Sequence, residues 1–177
     1  MTSGLDLQDG QGADNPTPRR DDILMLTALA TVEDAAEILA LQKAAYQSEA
    51  LLYNSDSIPP LLQTLDEIQS QFATRLFLKA VEEERIVGSI RGYQDGTTCH
   101  IERLFVEPER RGRGIGSGLL EAIESHFPQA ERFELFTGHK SESNLRLYER
   151  AGYRVFARKV IVADLALIFL EKLRQKA

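Results

Sequence analysis

Between Glu109 and Leu120 the chain reads ERRGRGIGSGLL, three arginines and four glycines set ahead of an apolar tail. Glycines let backbone N–H groups approach a ligand closely and arginines add positive charge, so the chemistry suggested is the holding of an anion. Spacing separates the kinds of anion site that share this composition. A dinucleotide fingerprint needs G-x-G-x-x-G, yet counting from Gly112 places Ser117 at the last position, and counting from Gly114 places Leu119 there. A Walker loop needs a lysine after its last glycine, and no lysine lies between Lys79 and Lys140. What remains is an apolar run ending at Val106, the turn pair Glu107-Pro108, and small residues opening a helix. A helix start carries unpaired N–H groups and roughly half a positive charge, which suits a pyrophosphate, and Arg111 and Arg113 would strengthen it. A tight strand-to-helix connection with solvated arginines is the plainer alternative.

Cys99 is the only cysteine, so no internal disulfide forms, and the Cys and His residues lack metal-finger spacing; no metal site is expected. Cys99 and His100 are neighbours on an expected strand and so point to opposite faces, which leaves the imidazole badly placed to activate the thiol. A core cysteine is the expectation.

The elements that must position the glycine-rich stretch follow from periodicity. Ile23 to Leu29 reads as a buried strand, and Thr31 can cap a helix running to about Gln47. LLYNSDSIPP is a loop, and Thr64 with Glu67 forms a capping-box pattern ahead of Leu65, Ile68 and Phe72 at helical spacing. Leu76–Val81, Arg85–Gln94 and Thr97–Val106 then read as an antiparallel meander broken by EEE and Asp95-Gly96. Ile115, Leu119, Leu120, Ile123 and Phe127 share one helical face that Pro128 ends. Arg132 to Phe136 reads as a strand, Glu142 to Arg150 as a helix stopped before Gly152, and Tyr153–Val162 with Leu165–Lys172 as a closing hairpin. The order predicts an α+β fold with an α/β-like centre, a mixed sheet with helices on its faces.

At 177 residues with 43% apolar and 27% charged residues, the chain has the composition of a soluble globular protein. Residues 1–20 are rich in Gly, Asp, Gln and Pro without periodicity and read as a disordered leader, leaving 21–177 as a single domain. The leader lacks the apolar stretch of a secretory signal and no run is long enough to cross a bilayer, so a cytoplasmic location and no membrane partner are expected. A net charge of −6 argues against a nucleic-acid partner, because only a local basic patch could hold a polyanion.

Arg111-Gly112-Arg113-Gly114-Ile115-Gly116, preceded by IERLFVEP, resembles the R/Q-x-x-G-x-G/A acyl-CoA loop of the GCN5-related N-acetyltransferase (GNAT) superfamily. SNLRLYERAGY is similar to that family's late helix and the start of the following strand. The resemblance implies a mostly antiparallel, splayed sheet of about seven strands with helices on both faces. It also implies an acetyl-CoA-dependent N-acetyltransferase, in which a small-molecule or peptide amine attacks the thioester directly in a ternary complex. A non-catalytic acyl-CoA-binding sensor or interaction module of the same fold is the alternative, and a homodimer stays open.

By the same resemblance, the pyrophosphate lies on backbone N–H groups of Arg111, Gly112, Arg113, Gly114, Ile115, Gly116 and Ser117. The pantetheine arm runs beside Leu104, Phe105 and Val106, where the family's strand carries a bulge. Tyr148 corresponds to the tyrosine that serves the departing thiol as general acid, and Glu102 resembles the glutamate proposed as general base. Asn144 is placed to touch the donor's arm, although Ser141 stands where many relatives carry their asparagine. The acceptor is expected under the segment between Ala50 and Phe72, with Tyr46, Glu49, Tyr53 and Asp56 able to line an acidic site suited to a cationic amine.

Overall fold

The computed structural model describes residues 26–176. The leader expected over 1–20 and the first residues of the first strand lie outside the described residues. Seven strands form one sheet in the order β1-β2-β3-β4-β5-β7-β6, all pairs antiparallel except β4 with β5. They are β1 (Leu26–Leu29), β2 (Leu76–Glu82), β3 (Arg85–Asp95), β4 (Thr98–Val106), β5 (Arg132–Gly138), β6 (Arg154–Val162) and β7 (Leu165–Leu173). The helices are α1 (Ala35–Leu52), α2 (Pro59–Leu62), α3 (Leu65–Gln71), α4 (Ile115–His126) and α5 (Glu142–Arg150).

The expected meander is β2-β3-β4, and the capping box forms as read: the Thr64 N–H donates to the Glu67 carboxylate at 2.7 Å, and the Glu67 N–H donates to the Thr64 hydroxyl at 3.2 Å. One helix outruns its expected end. Nothing between Ser48 and Leu52 breaks α1, which stops only where Asn54 takes a left-handed φ of 46°. Within the segment read as loop, Pro59 and Pro60 open the one-turn helix α2, since a fixed φ and a missing N–H are tolerated in a first turn.

Two apolar clusters hold the layers. Leu119, Leu120 and Ile123 of α4 are buried against Leu78, Val87, Ile90 and Ile101 of the sheet, along the face read from the sequence. On the other side Ile38 and Leu39 of α1 pack with Ile68, Phe77 and Phe105. Every residue of β6 is exposed, Val155, Val160 and Val162 among them.

Two irregularities interrupt the sheet at its centre. Along β3 and β4 the register jumps, so that Arg103 and Leu104 together face the single residue Ile90, with Arg103 at φ 51°. This is a β-bulge, and it bends β4. Beyond it β4 and β5 part company: their ladder consists of Thr98–Arg132, Cys99–Phe133 and His100–Glu134, and from Ile101 onward they share no pairs. The splay and the bulge expected from the family resemblance are both present.

Candidate active site

The glycine-rich stretch leaves β4 at Val106, passes a single 3-10 turn at Pro108–Arg110 and enters α4 at Ile115. Gly112 and Gly114 hold φ values of 75° and 83°, a left-handed backbone that costs a side-chain-bearing residue about 1–2 kcal/mol. Gly114 is the residue before the first helical turn, and its carbonyl accepts from Gly118 N–H at 3.0 Å. Helix geometry leaves the N–H groups of Ile115, Gly116 and Ser117 without an intrahelical acceptor. A Cβ built on Gly112 or Gly114 would meet nothing within 4 Å, so space stands open beside the turn. The residues present therefore fit an anionic group held by main chain.

The arginines are placed differently. Arg111 donates to the Ala45 carbonyl at 2.7 Å and the Ser48 hydroxyl at 3.1 Å, tying the loop to α1. Arg110 is held by Glu82 and Glu107. Arg113 is largely exposed, with its guanidinium 3.9 Å from Glu82. The loop's positive character thus comes mainly from its N–H groups and the helix end.

A cavity of about 420 Å³ occupies the gap between β4 and β5 and extends beneath α1 and α2. Leu104 lines it from β4 and Leu135 and Thr137 from β5, while Phe105 turns the other way, edge-on to Tyr46 at 6.0 Å between ring centroids. Val106 packs at the edge of the α4 cluster. Because β4 has no ladder with β5 here, the β5-facing main chain around Leu104 is free to pair with an extended ligand.

Tyr148 of α5 and Glu102 of β4 both line this cavity. Tyr148 is buried, which raises its phenol above the ordinary value, with Tyr46 and Glu49 adding to the effect; it stays protonated across the physiological range. Glu102 lies opposite Arg91 in register, but its carboxylate accepts instead from Arg75 at 3.1 Å. Asn144 also reaches the cavity and donates to the Thr137 hydroxyl at 3.4 Å, while Ser141 donates to the Glu49 carboxylate. Cys99 is fully buried, and burial pushes its thiol up to about 12, as befits a core residue.

Tyr46, Glu49 and Tyr53 stand in the cavity wall as expected, and Asp56 does not. The sequence reading missed three cationic members of that wall, Arg75, Arg91 and Arg103. A signal existed for Arg91, a charge embedded in the otherwise apolar run IVGSIRGY. Arg103 gave none, because its position depends on the bulge. Tyr53 reaches across to β5, lying where a Cβ at Gly138 would sit, and its hydroxyl accepts from the Lys140 N–H at 3.0 Å.

The chain is 31% identical over 120 residues to the UPF0157 protein YqkA of Bacillus subtilis, covering 68% of this chain and 34% of that protein. It is 36% identical over 81 residues to an uncharacterized N-acetyltransferase, MJ1530, of Methanocaldococcus jannaschii, covering 44% of this chain and 52% of that one. The chain thus spans about a third to a half of the length of these relatives. Among solved structures, the fold matches the PaiA N-acetyltransferase of Thermoplasma acidophilum in complex with coenzyme A, with TM-score 0.71, 14% identity, and coverage of 85% of this chain and 99% of that one. It also matches YncA of Salmonella typhimurium with its cofactor acetyl-CoA, at TM-score 0.70 and 15% identity over 87% and 96% of the two chains. The model of the acetyltransferase (GNAT) family matches residues 36–153, more than half of the sequence and inclusive of the glycine loop, the splayed strands and α5, and the chain belongs to that family.

Proposed function

We propose that the chain is an acetyl-CoA-dependent N-acetyltransferase in which an amine attacks the thioester directly. The observation that carries this reading is the cavity itself: in the gap where β4 and β5 share no pairs, Leu104, Leu135 and Thr137 line the same space as Tyr148 and Glu102. Acetyl-CoA supplies an activated acetyl group on a thiol leaving group, together with a pyrophosphate by which it can be held.

The chain's own groups meet the remaining demands. Backbone N–H groups from Gly112 to Ser117 hold the pyrophosphate, with Arg111 fixing the loop to α1 rather than contacting the ligand. Main chain from Leu104 to Val106 pairs with the donor's arm as an added strand, and an N–H there polarises the carbonyl that becomes an oxyanion. Tyr148 is the general acid: it passes its proton to the departing sulfur and takes up the proton that the nitrogen sheds as the amide forms, so that no phenolate, which burial disfavours, is left behind. Glu102 takes the earlier proton, the one an ammonium group loses before attack, directly or through water; Arg75 holds the carboxylate at the edge of the cavity. Asn144 steadies the arm from α5.

A thiol-release assay with acetyl-CoA and a panel of amines tests this. Release dependent on one class of amine is expected. Binding of acetyl-CoA without release for any amine would instead support a non-catalytic acyl-CoA-binding module.

A further inference from the structure

The cavity wall contains more cationic than anionic groups, and its cations are incompletely satisfied. Arg91 is 2% exposed, and among the described residues only its Nη2 has a partner, the Gln63 side-chain oxygen at 3.0 Å; its Nε and Nη1 have none. The guanidinium rests over the Phe77 ring at 5.1 Å. Arg103 also buries an Nε without a partner. Neither is given a carboxylate: Glu102 is taken by Arg75 and Glu49 by Ser141. Burial, reinforced by the like charge of Arg103, brings Arg91 down to about 10, yet it remains cationic at neutral pH. Buried N–H groups of a cation without acceptors are costly, and a chain keeps such an arrangement most readily where a ligand completes it.

We propose that the acceptor is an amine that carries its own carboxylate, an amino-acid-like molecule whose anionic oxygens are received by Arg91 and Arg103. The idea rests on the acetyltransferase reading and narrows it. It also corrects the expectation of an acidic pocket for a purely cationic amine: Asp56 is absent from the wall, and three arginines face two glutamates. In this arrangement the carboxylate is received by Arg91 and Arg103 while Glu102, the cross-strand neighbour of Arg91, serves the amine one carbon away. Both charges of a zwitterion then meet complementary charge. A planar guanidinium can also take both carboxylate oxygens at once, which a lysine cannot.

The test uses the full chain with acetyl-CoA and a panel of L-α-amino acids, each assayed beside its carboxamide and its phosphonate analogue, with spermidine as a cationic control. At least one amino acid should exceed its carboxamide by roughly 30-fold or more in kcat/KM, the factor expected for one buried charge-assisted contact. Arg91→Gln should raise KM for that acceptor by a similar factor, erase the preference over the carboxamide and leave KM for acetyl-CoA unchanged. Arg103→Gln serves the same purpose if Arg91→Gln fails to fold. Preference for the phosphonate would replace the carboxylate, and equal or better turnover of carboxamides or spermidine would overturn the proposal. If no amine is turned over, the acetyltransferase reading falls, and calorimetric titration of the same amino acids into CoA-saturated protein decides this one. Binding lost in Arg91→Gln upholds an anion site, and no binding overturns it.

Discussion

The glycine loop before α4 and the cavity beneath α1 both adjoin β4, the loop at its end and the cavity along Ile101–Leu104, but they are made from different material. The loop is a contiguous stretch, Gly112 to Ser117, whose useful groups are main-chain N–H. The cavity is walled by residues from Tyr46 to Leu167, delivered by four helices, five strands and a bulge. A site made of backbone is robust to most side-chain changes and sensitive to the few that alter φ. A site made of side chains has the opposite sensitivity. Arg111 and Arg113, conspicuous in the sequence, are thus peripheral to the loop, whereas Arg91, marked there only as a charge within an apolar run, stands in the cavity wall.

The strongest way to break that contrast is at Tyr148. Tyr148→Phe is expected to reduce kcat by about 100-fold or more while leaving the dissociation constant of acetyl-CoA unchanged, because the proposed role of the phenol is toward the leaving group and not the pyrophosphate. Loss of donor affinity in step with kcat would merge the two regions. The wild-type pH profile carries the same information. Burial raises the Tyr148 phenol, so the donor form persists above its ordinary range, and kcat/KM should climb with pH as the amine deprotonates, with no falling limb attributable to Tyr148 up to about pH 10. A falling limb below that pH that disappears in Tyr148→Phe would contradict the assignment.

Gly114→Val probes the other region. Forcing a branched residue to φ 83° is expected to cost about 1–2 kcal/mol of stability, read from denaturant unfolding, and to weaken acetyl-CoA binding by about 10-fold or more as the helix start is reshaped. The KM of the acceptor should move little. Cys99 separates core from site: with its thiol held up at about 12, it should resist alkylation in the native protein at pH 8, and Cys99→Ala should cost about 1 kcal/mol without lowering kcat. The smallest effect is expected at Gly116. A Cβ there meets Leu147 at an ordinary 3.5 Å and φ is not left-handed, so Gly116→Ala should change stability by less than about 1 kcal/mol. Two glycines two residues apart would then differ because one is required by backbone conformation and the other is not.

The same contrast governs what could be read from the chain before any coordinates. Periodicity placed α4, α5 and the meander closely, because each buries one face and is bounded by a breaker such as Pro128, Gly152 or Asp95-Gly96. It ended α1 too early, because Ser48 and Glu49 carry no stop signal and the true stop depends on the left-handed Asn54. The glycine loop was legible because glycine spacing is itself a record of backbone conformation. The polarity of the cavity was not. Arg75, Arg91 and Arg103 converge only after the sheet has formed and β4 has bulged, and Glu102 selects Arg75 over the Arg91 it opposes for reasons of side-chain reach that no spacing encodes.

In the proposed reaction the acyl donor is held by main chain, at the glycine loop and along the splayed β4. Amide chemical shifts in the isotope-labelled protein, followed during titration with acetyl-CoA, test that placement. The largest changes are expected on the amides of Gly112 to Ser117 and of Leu104 to Val106, with the β1 amides, on the far edge of the sheet and outside the cavity wall, unmoved. Changes concentrated on β1, or saturation without movement of the Gly112–Ser117 amides, would overturn it.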